Sequence, residues 1–172
     1  LFAIWALLML PWACPSGSAA CWGLAWAIGN FAGVLFFVQN HWQGLFAGLH
    51  GYQALMLLAA GNGVVLLVFE LFDRALLVKP TRALQRLAGL GILTALGVGA
   101  AGGWWEAEYL PVLLTFGLVA AATLFFYLQR RRDLPILAMT LFWLIVVGAC
   151  ALARLTWEAD QTFLMINAVA LF

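Results

Sequence analysis

Charged residues are scarce in this 172-residue chain: Asp, Glu, Lys and Arg together make up 9% of it, whereas 66% of the residues are hydrophobic. Ordinary soluble domains carry charge on about a quarter of their residues, so the composition excludes that class. It also leaves no extended basic surface for nucleic acid. The mean hydropathy of +1.04 predicts an integral membrane protein whose main partner is the lipid bilayer.

Motifs for metals, nucleotides and nucleophilic catalysis are missing from the sequence. The three cysteines, Cys14, Cys21 and Cys150, form no C-x-x-C pair and no cysteine–histidine cluster, so they predict neither a disulfide framework nor a metal centre. No serine lies in a nucleophile elbow, and no glycine-rich loop precedes a phosphate site. We therefore predict no cofactor, and the sequence favours a protein that is not an enzyme.

Long apolar runs dominate the chain instead. A membrane-spanning helix needs about 20 predominantly apolar residues. Five runs are of about that length, namely Ala19 to Val38, Gly51 to Phe72, Leu87 to Gly103, Leu110 to Leu128 and Leu134 to Ala153. Shorter runs stand at the ends, Leu1 to Trp12 and Thr162 to Phe172. The sequence predicts an all-α, polytopic transmembrane helical bundle of about seven spans, with truncated first and last helices. Residues 1–172 form one such domain, which we expect to be a fragment of a longer membrane protein.

Charge is segregated between alternate loops. Two loops are basic, and positively charged loops are retained in the cytoplasm; their cations are Arg74, Lys79, Arg82, Arg86, Arg130, Arg131 and Arg132. Two other loops, Trp104 to Tyr109 and Arg154 to Gln161, are acidic and belong on the outer side. Seven of the eight Lys and Arg residues thus fall on one side, and Arg154 is the exception.

Glycine and proline predict the turns and the closest helix contacts. Pro11 and Pro15 bracket an expected turn at Cys14 to Ser18, whose proline and glycine should stop the helix. In the fourth run, small residues recur every four positions and form a smooth stripe that lets a neighbouring backbone approach; they are Gly91, Ala95, Gly99 and Gly103.

Neutral amides are the polar groups at membrane depth. Asn30 and Asn62 lie near the middles of consecutive, antiparallel runs, so the two side chains can meet. A hydrogen bond between them is worth about 0.6 to 2 kcal/mol and would hold the two helices together. The alternative is a small polar cavity that binds a substrate in a transporter or permease-like component, lined by Asn30, Asn62, Gln53 and Asn167.

The two histidines, His41 and His50, fall in an irregular outer segment, where wet interfacial side chains are expected. A zinc site would need a third ligand. A second alternative is a membrane enzyme that uses both histidines with the acids predicted on the same side, Glu106, Glu108, Glu158 and Asp160. The two histidines are therefore low-ranking metal candidates, and no metal site is predicted.

Two stretches resemble the second half of a bacterial family of multi-pass membrane proteins, domain of unknown function 2157. They are Leu1 to Trp12, and Arg130 to Met139 with the following Leu144 to Val147. The resemblance implies a location in the bacterial inner membrane and further spans before Leu1, but it implies no activity. The leading hypothesis is a structural or interaction module of that membrane, with another membrane subunit or a second copy as its protein partner.

Overall fold

The computed structural model describes residues 2–39, 51–77, 82–129 and 133–170. These residues form six α-helices, with a single 3-10 turn (Ala107–Tyr109) before the fifth. The helices are α1 (Phe2–Ser16), α2 (Ala19–Gln39), α3 (Gly51–Leu76), α4 (Ala83–Gly102), α5 (Leu110–Gln129) and α6 (Leu134–Ala170). Five of them, α2 to α6, are long and apolar enough to cross a membrane. The all-helical architecture predicted from the sequence is confirmed, whereas the count of about seven spans is not.

The first turn lies later in the chain than the sequence predicts. Pro11 and Pro15 are both inside α1, and the helix continues to Ser16. It ends because Gly17 adopts a left-handed backbone conformation with φ of 54°, which only glycine accepts without strain. The Gly17 N–H donates to the Ala13 carbonyl at 3.2 Å and so closes the last helical turn. Gly17, and not either proline, therefore terminates α1.

The prediction of a loop at Arg154 to Gln161 is wrong. Helix α6 runs through this segment without a break and is 37 residues long, or about 55 Å. The segment contains neither proline nor glycine, and an ion pair one helical turn apart, from Arg154 Nε to Glu158 Oε1 at 2.8 Å, supports the helical conformation. Because a hydrocarbon core is about 30 Å thick, much of α6 extends beyond it.

Helix α4 is the centre of the bundle, with half of its apolar stretch buried. A Cβ atom at Gly99 would overlap Val112 of α5, and one at Gly91 would overlap the Asn62 side chain of α3. The predicted small-residue stripe is thus confirmed as a place of close approach. A further glycine, Gly97, lies outside the stripe and accepts the ring of Trp143 from α6. Small residues on two faces of α4 explain how three helices pack around it.

An ion pair joins α4 to α6 at one end of the bundle. The Arg86 Nε donates to both carboxylate oxygens of Asp133 at 3.1 Å. Asp133 is buried, whereas the arginine is half-exposed. This contact brings the start of α4 and the start of α6 to the same end of the bundle. At the opposite end, the Arg154 guanidinium lies 5.5 Å from the centre of the Trp105 ring.

We expect Gly97→Leu to lower the unfolding midpoint in mild detergent. The new side chain would collide with the Trp143 ring, and overpacking of a close contact costs about 1 to 3 kcal/mol. Gly117→Leu is the matched control, because a Cβ at Gly117 meets nothing within 4 Å. Equal midpoints for the two variants would contradict the close α4–α6 contact.

Arg86→Gln should destabilise the bundle by about 1 to 2 kcal/mol, since it leaves the buried Asp133 carboxylate without its charged donor. Glu158→Gln, which weakens an exposed pair within one helix, should cost less than about 0.5 kcal/mol. Thermal unfolding of both variants in the same detergent measures the difference. A larger loss for Glu158→Gln would show that the Arg86 pair is not what joins α4 to α6.

Candidate functional site

The candidate site lies where α2 and α3 face each other at mid-length. Along α2, the facing residues recur every three or four positions and so occupy one side of the helix; they are Trp22, Ala25, Trp26, Gly29 and Asn30. The opposing side of α3 runs from Leu57 to Phe69 and includes Gly61 and Asn62. Among the described residues that line these two surfaces, the only polar side chains are tryptophans and asparagines.

Asn30 and Asn62 meet directly, as the sequence suggests they could. The Asn62 Nδ2 donates to Asn30 Oδ1 at 2.6 Å, and the Asn30 Nδ2 donates back to Asn62 Oδ1 at 3.2 Å. Each amide also donates one hydrogen bond to its own helix, Asn30 to the Trp26 carbonyl at 3.0 Å and Asn62 to the Leu58 carbonyl at 2.9 Å. The two side chains are therefore fixed in orientation by both helices.

Trp26 completes this network. Its indole N–H donates to Asn62 Oδ1 at 2.7 Å. An asparagine side chain has two N–H donors and one oxygen that accepts two hydrogen bonds. Asn62 thus uses all four of its hydrogen-bonding positions, and Asn30 uses three of four. The cluster is neutral and almost completely satisfied by groups within the protein.

Helix α4 covers the remaining side of Asn62, which is only 3% exposed. Gly91 lies directly against the amide. Because glycine has no side chain, the Asn62 side chain fills the space beside it. Close approach of α3 and α4 at this glycine therefore seals the amide pair from one direction. An unsatisfied amide in hydrocarbon costs several kcal/mol, so a sealed position requires the saturated bonding that is observed.

On its other side, the amide pair borders an apolar groove of about 460 Å³. Helices α2 and α3 form the base and one wall, and Leu7 and Leu10 of α1 form the other wall. The base is buried, for example at Ala25 and Phe69, whereas the rim residues Leu7 and Val64 are about 60% exposed. No acidic, basic or histidine side chain is among the described residues that line this groove, so the groove offers shape and apolar surface rather than acid–base chemistry.

The other sequence-predicted site residues lie elsewhere. Gln53 is nine positions before Asn62, about 14 Å along α3, and donates to the Tyr52 hydroxyl at 3.2 Å. The side chain of Asn167 and the whole of His41 and His50 are outside the described residues. Glu106, Glu108 and Glu158 are exposed. Among the described residues no three His, Cys, Asp or Glu side chains come together in a way that could hold a metal ion.

The predicted topology residues are described only in part. Arg82 and Arg86 lie at the start of α4, and both are exposed. The side chain of Arg74 is outside the described part of the chain, as are Lys79 and residues 130–132. Beside Arg86, the buried Gln85 donates to the Phe69 carbonyl at 3.3 Å and ties α4 to the end of α3. This end of the bundle is thus held by polar contacts as well.

Two residues of these polar contacts, Trp26 and Asp133, were not singled out from the sequence, and the contact of Gly91 with Asn62 was not foreseen either. Trp26 precedes Asn30 by four positions, so the two share a helix face, and that spacing is the signal for their association. Gly91 was recognised as part of a stripe, but its partner depends on how α3 and α4 pack. Asp133 directly follows the predicted basic loop at Arg130 to Arg132, and its burial could not be predicted because it depends on the position of α4.

The fold and the site define an all-helical bundle of membrane type, with a closed amide cluster between two of its spans. Comparisons of the chain with family models, with curated proteins and with solved structures gave no match. The resemblance to the bacterial membrane family therefore stays a prediction.

A double-mutant cycle with Asn30→Leu and Asn62→Leu should give a coupling free energy of about 0.6 to 2 kcal/mol. Leucine has nearly the shape of asparagine, so the space against Gly91 is kept while the hydrogen bonds are lost. Each single variant leaves a buried polar partner unsatisfied, and the double variant removes both. Unfolding in mild detergent gives the four free energies. Additive effects would mean that the two amides contribute independently.

Proposed function

We propose that this chain is a multi-pass protein of the bacterial inner membrane and acts there as a structural or interaction module. Support for the membrane comes from the five helices of spanning length and composition. One observation above all supports a structural role: Asn30 and Asn62 hydrogen-bond to each other and to backbone carbonyls of their own helices.

A carrier is the alternative that this observation disfavours. Transport sites near the bilayer midplane need polar groups that are free to exchange protein partners for a solute. Here Asn62 has no vacant hydrogen-bonding position, and Gly91 closes the cluster from the side of α4. The site that would select a polar solute is therefore already occupied by the protein itself.

The orientation and the partners are part of the same proposal. The end that carries Arg82 and Arg86 faces the cytoplasm by the positive-inside tendency, and the end that carries Glu106 and Glu108 faces outward. The bilayer is the first partner, because the outward surfaces of the helices are covered by large exposed apolar side chains. Another membrane subunit or a second copy of the chain would meet the same surfaces.

Thiol labelling in sealed vesicles tests this function. In a variant with the three native cysteines replaced by alanine, single cysteines are placed at Gly61 beside the amide pair and at Arg82 and Glu108 at the two ends. With a membrane-impermeant reagent we expect Arg82→Cys and Glu108→Cys to react from opposite compartments. Gly61→Cys should react from neither, because no water reaches a structural site in hydrocarbon.

Each contrary result removes a different part of the proposal. Labelling of Gly61→Cys at the rate of the end positions would reveal a water pathway and restore the carrier. Labelling of Arg82→Cys and Glu108→Cys from the same compartment would overturn the topology. Recovery of the protein in the aqueous fraction without detergent would overturn the membrane location.

A further inference from the structure

We propose that the α1–α2 hairpin is a separable unit that docks on a core formed by α3 to α6, and that the amide cluster of Trp26, Asn30 and Asn62 holds it there. This inference rests on the membrane location proposed above and gives the proposed interaction module a moving part. It is carried by the construction of the hairpin, by the composition of the core and by the contacts between the two.

The first two helices form one unit. Only Gly17 and Ser18 separate α1 from α2. The Gly17 N–H donates to the Ala13 carbonyl at 3.2 Å. The Ser18 N–H donates to the Ser16 hydroxyl oxygen, also at 3.2 Å. Among the described residues, α1 packs extensively on α2 and on no other helix. A movement of α2 must therefore carry α1 with it.

The main apolar core of the bundle lies within α3 to α6. Each of these four helices contributes buried residues to it, whereas no described residue of α1 or α2 belongs to this cluster; examples of its members are Ala59, Leu96, Phe116 and Val147. The ion pair between α4 and α6 and the hydrogen bond from Gln85 to α3 join the same helices at one end. The four helices are thus held together without the hairpin.

The hairpin meets this core along one side of α2. The Trp22 ring packs edge-to-face on Phe69, with 5.4 Å between the ring centres. Three hydrogen bonds then join α2 to Asn62. Further along, a Cβ atom at Gly33 would lie 3.3 Å from the Leu58 side chain. The groove keeps α1 away from α3. The amide cluster is therefore the polar part of a small interface.

Lipid lowers the cost of separating the two parts. Apolar faces that part in a bilayer exchange their contacts for contacts with acyl chains, so no hydrophobic effect holds them together. The two amides lose the bonds that they share, but each keeps one. Asn30 still donates to the Trp26 carbonyl of α2, and Asn62 still donates to the Leu58 carbonyl of α3. The shared hydrogen bonds and the packing of a small interface are what oppose separation.

Distances between pairs of spin labels in lipid nanodiscs test this proposal. The three native cysteines are replaced by alanine, and labelled cysteines are placed at exposed positions of the full chain. Leu8→Cys with Leu67→Cys reports the separation of α1 from α3. Leu67→Cys with Leu118→Cys reports the separation of α3 from α5 within the core. With the amide cluster intact, we expect one main distance for each pair.

Asn30→Leu removes the shared amide bonds without changing a residue of the core. The α1–α3 pair of labels should then show a second distance. The ratio of separated to docked hairpin should rise by a factor of about 3 to 30, which is the range that one interhelical hydrogen bond in a membrane contributes. Trp26→Phe, which removes only the indole N–H, should shift the ratio in the same direction. The α3–α5 pair should keep its single distance, which also shows that both variants are folded.

Gly97→Leu is the control, because it disturbs the α4–α6 contact inside the core. It should leave the α1–α3 distance unchanged. An α1–α3 distance that is as narrowly distributed in Asn30→Leu as in the unchanged protein would overturn the proposal. Equal changes in both pairs of labels would also overturn it, because the bundle would then loosen as a whole. Either failure leaves the membrane location intact, since that location is tested separately by extraction and labelling.

Discussion

A polar group that is buried in hydrocarbon must find its hydrogen bonds within the protein, and this constraint determines the middle of the bundle. An amide in water can exchange partners freely, whereas in lipid each missing partner costs several kcal/mol. Asn30 and Asn62 hydrogen-bond to each other across the α2–α3 interface. Trp26 donates the second of the two hydrogen bonds that Asn62 Oδ1 can accept. The relative rotation of the two helices and their axial alignment follow from this requirement, because a shift of one residue would separate the two amides.

The amide pair depends in turn on the glycines of α4. Without a hydrophobic driving force between helices in lipid, close contact relies on packing and on hydrogen bonds. Gly91, Gly97 and Gly99 let α4 approach α3, α6 and α5, and the largest buried side chains pack around the same helix. Helix α4 is therefore the best-packed element, and the helices at the N-terminal end are held by fewer and more local contacts.

Much of this arrangement could be predicted from the residues. Long apolar runs indicated α2 to α6, the four-residue recurrence of small residues indicated the contact face of α4, and the mid-run positions of Asn30 and Asn62 indicated their pairing. The errors have local causes. Proline and glycine together were expected to end α1, but proline is tolerated in membrane helices and Gly17 alone ends it. A charged segment in α6 was taken as a loop, although i,i+4 charges also stabilise a helix that has left the membrane.

What the sequence could not give is the space between helices. A groove exists where elements fail to meet, and such a failure depends on the lengths, tilts and contacts of three helices together. Gly29 illustrates the difficulty: it belongs to a Gly29-x-x-x-Gly33 spacing that favours close packing, and Gly33 does approach Leu58, yet Gly29 opens onto the groove. The same residue type therefore allows close helix contact at Gly33 and leaves open space at Gly29. In water such a gap would collapse or fill with solvent, but in a bilayer the surrounding medium is itself a set of alkyl chains that can fill it. A membrane protein can consequently leave an apolar groove open to lipid at little cost.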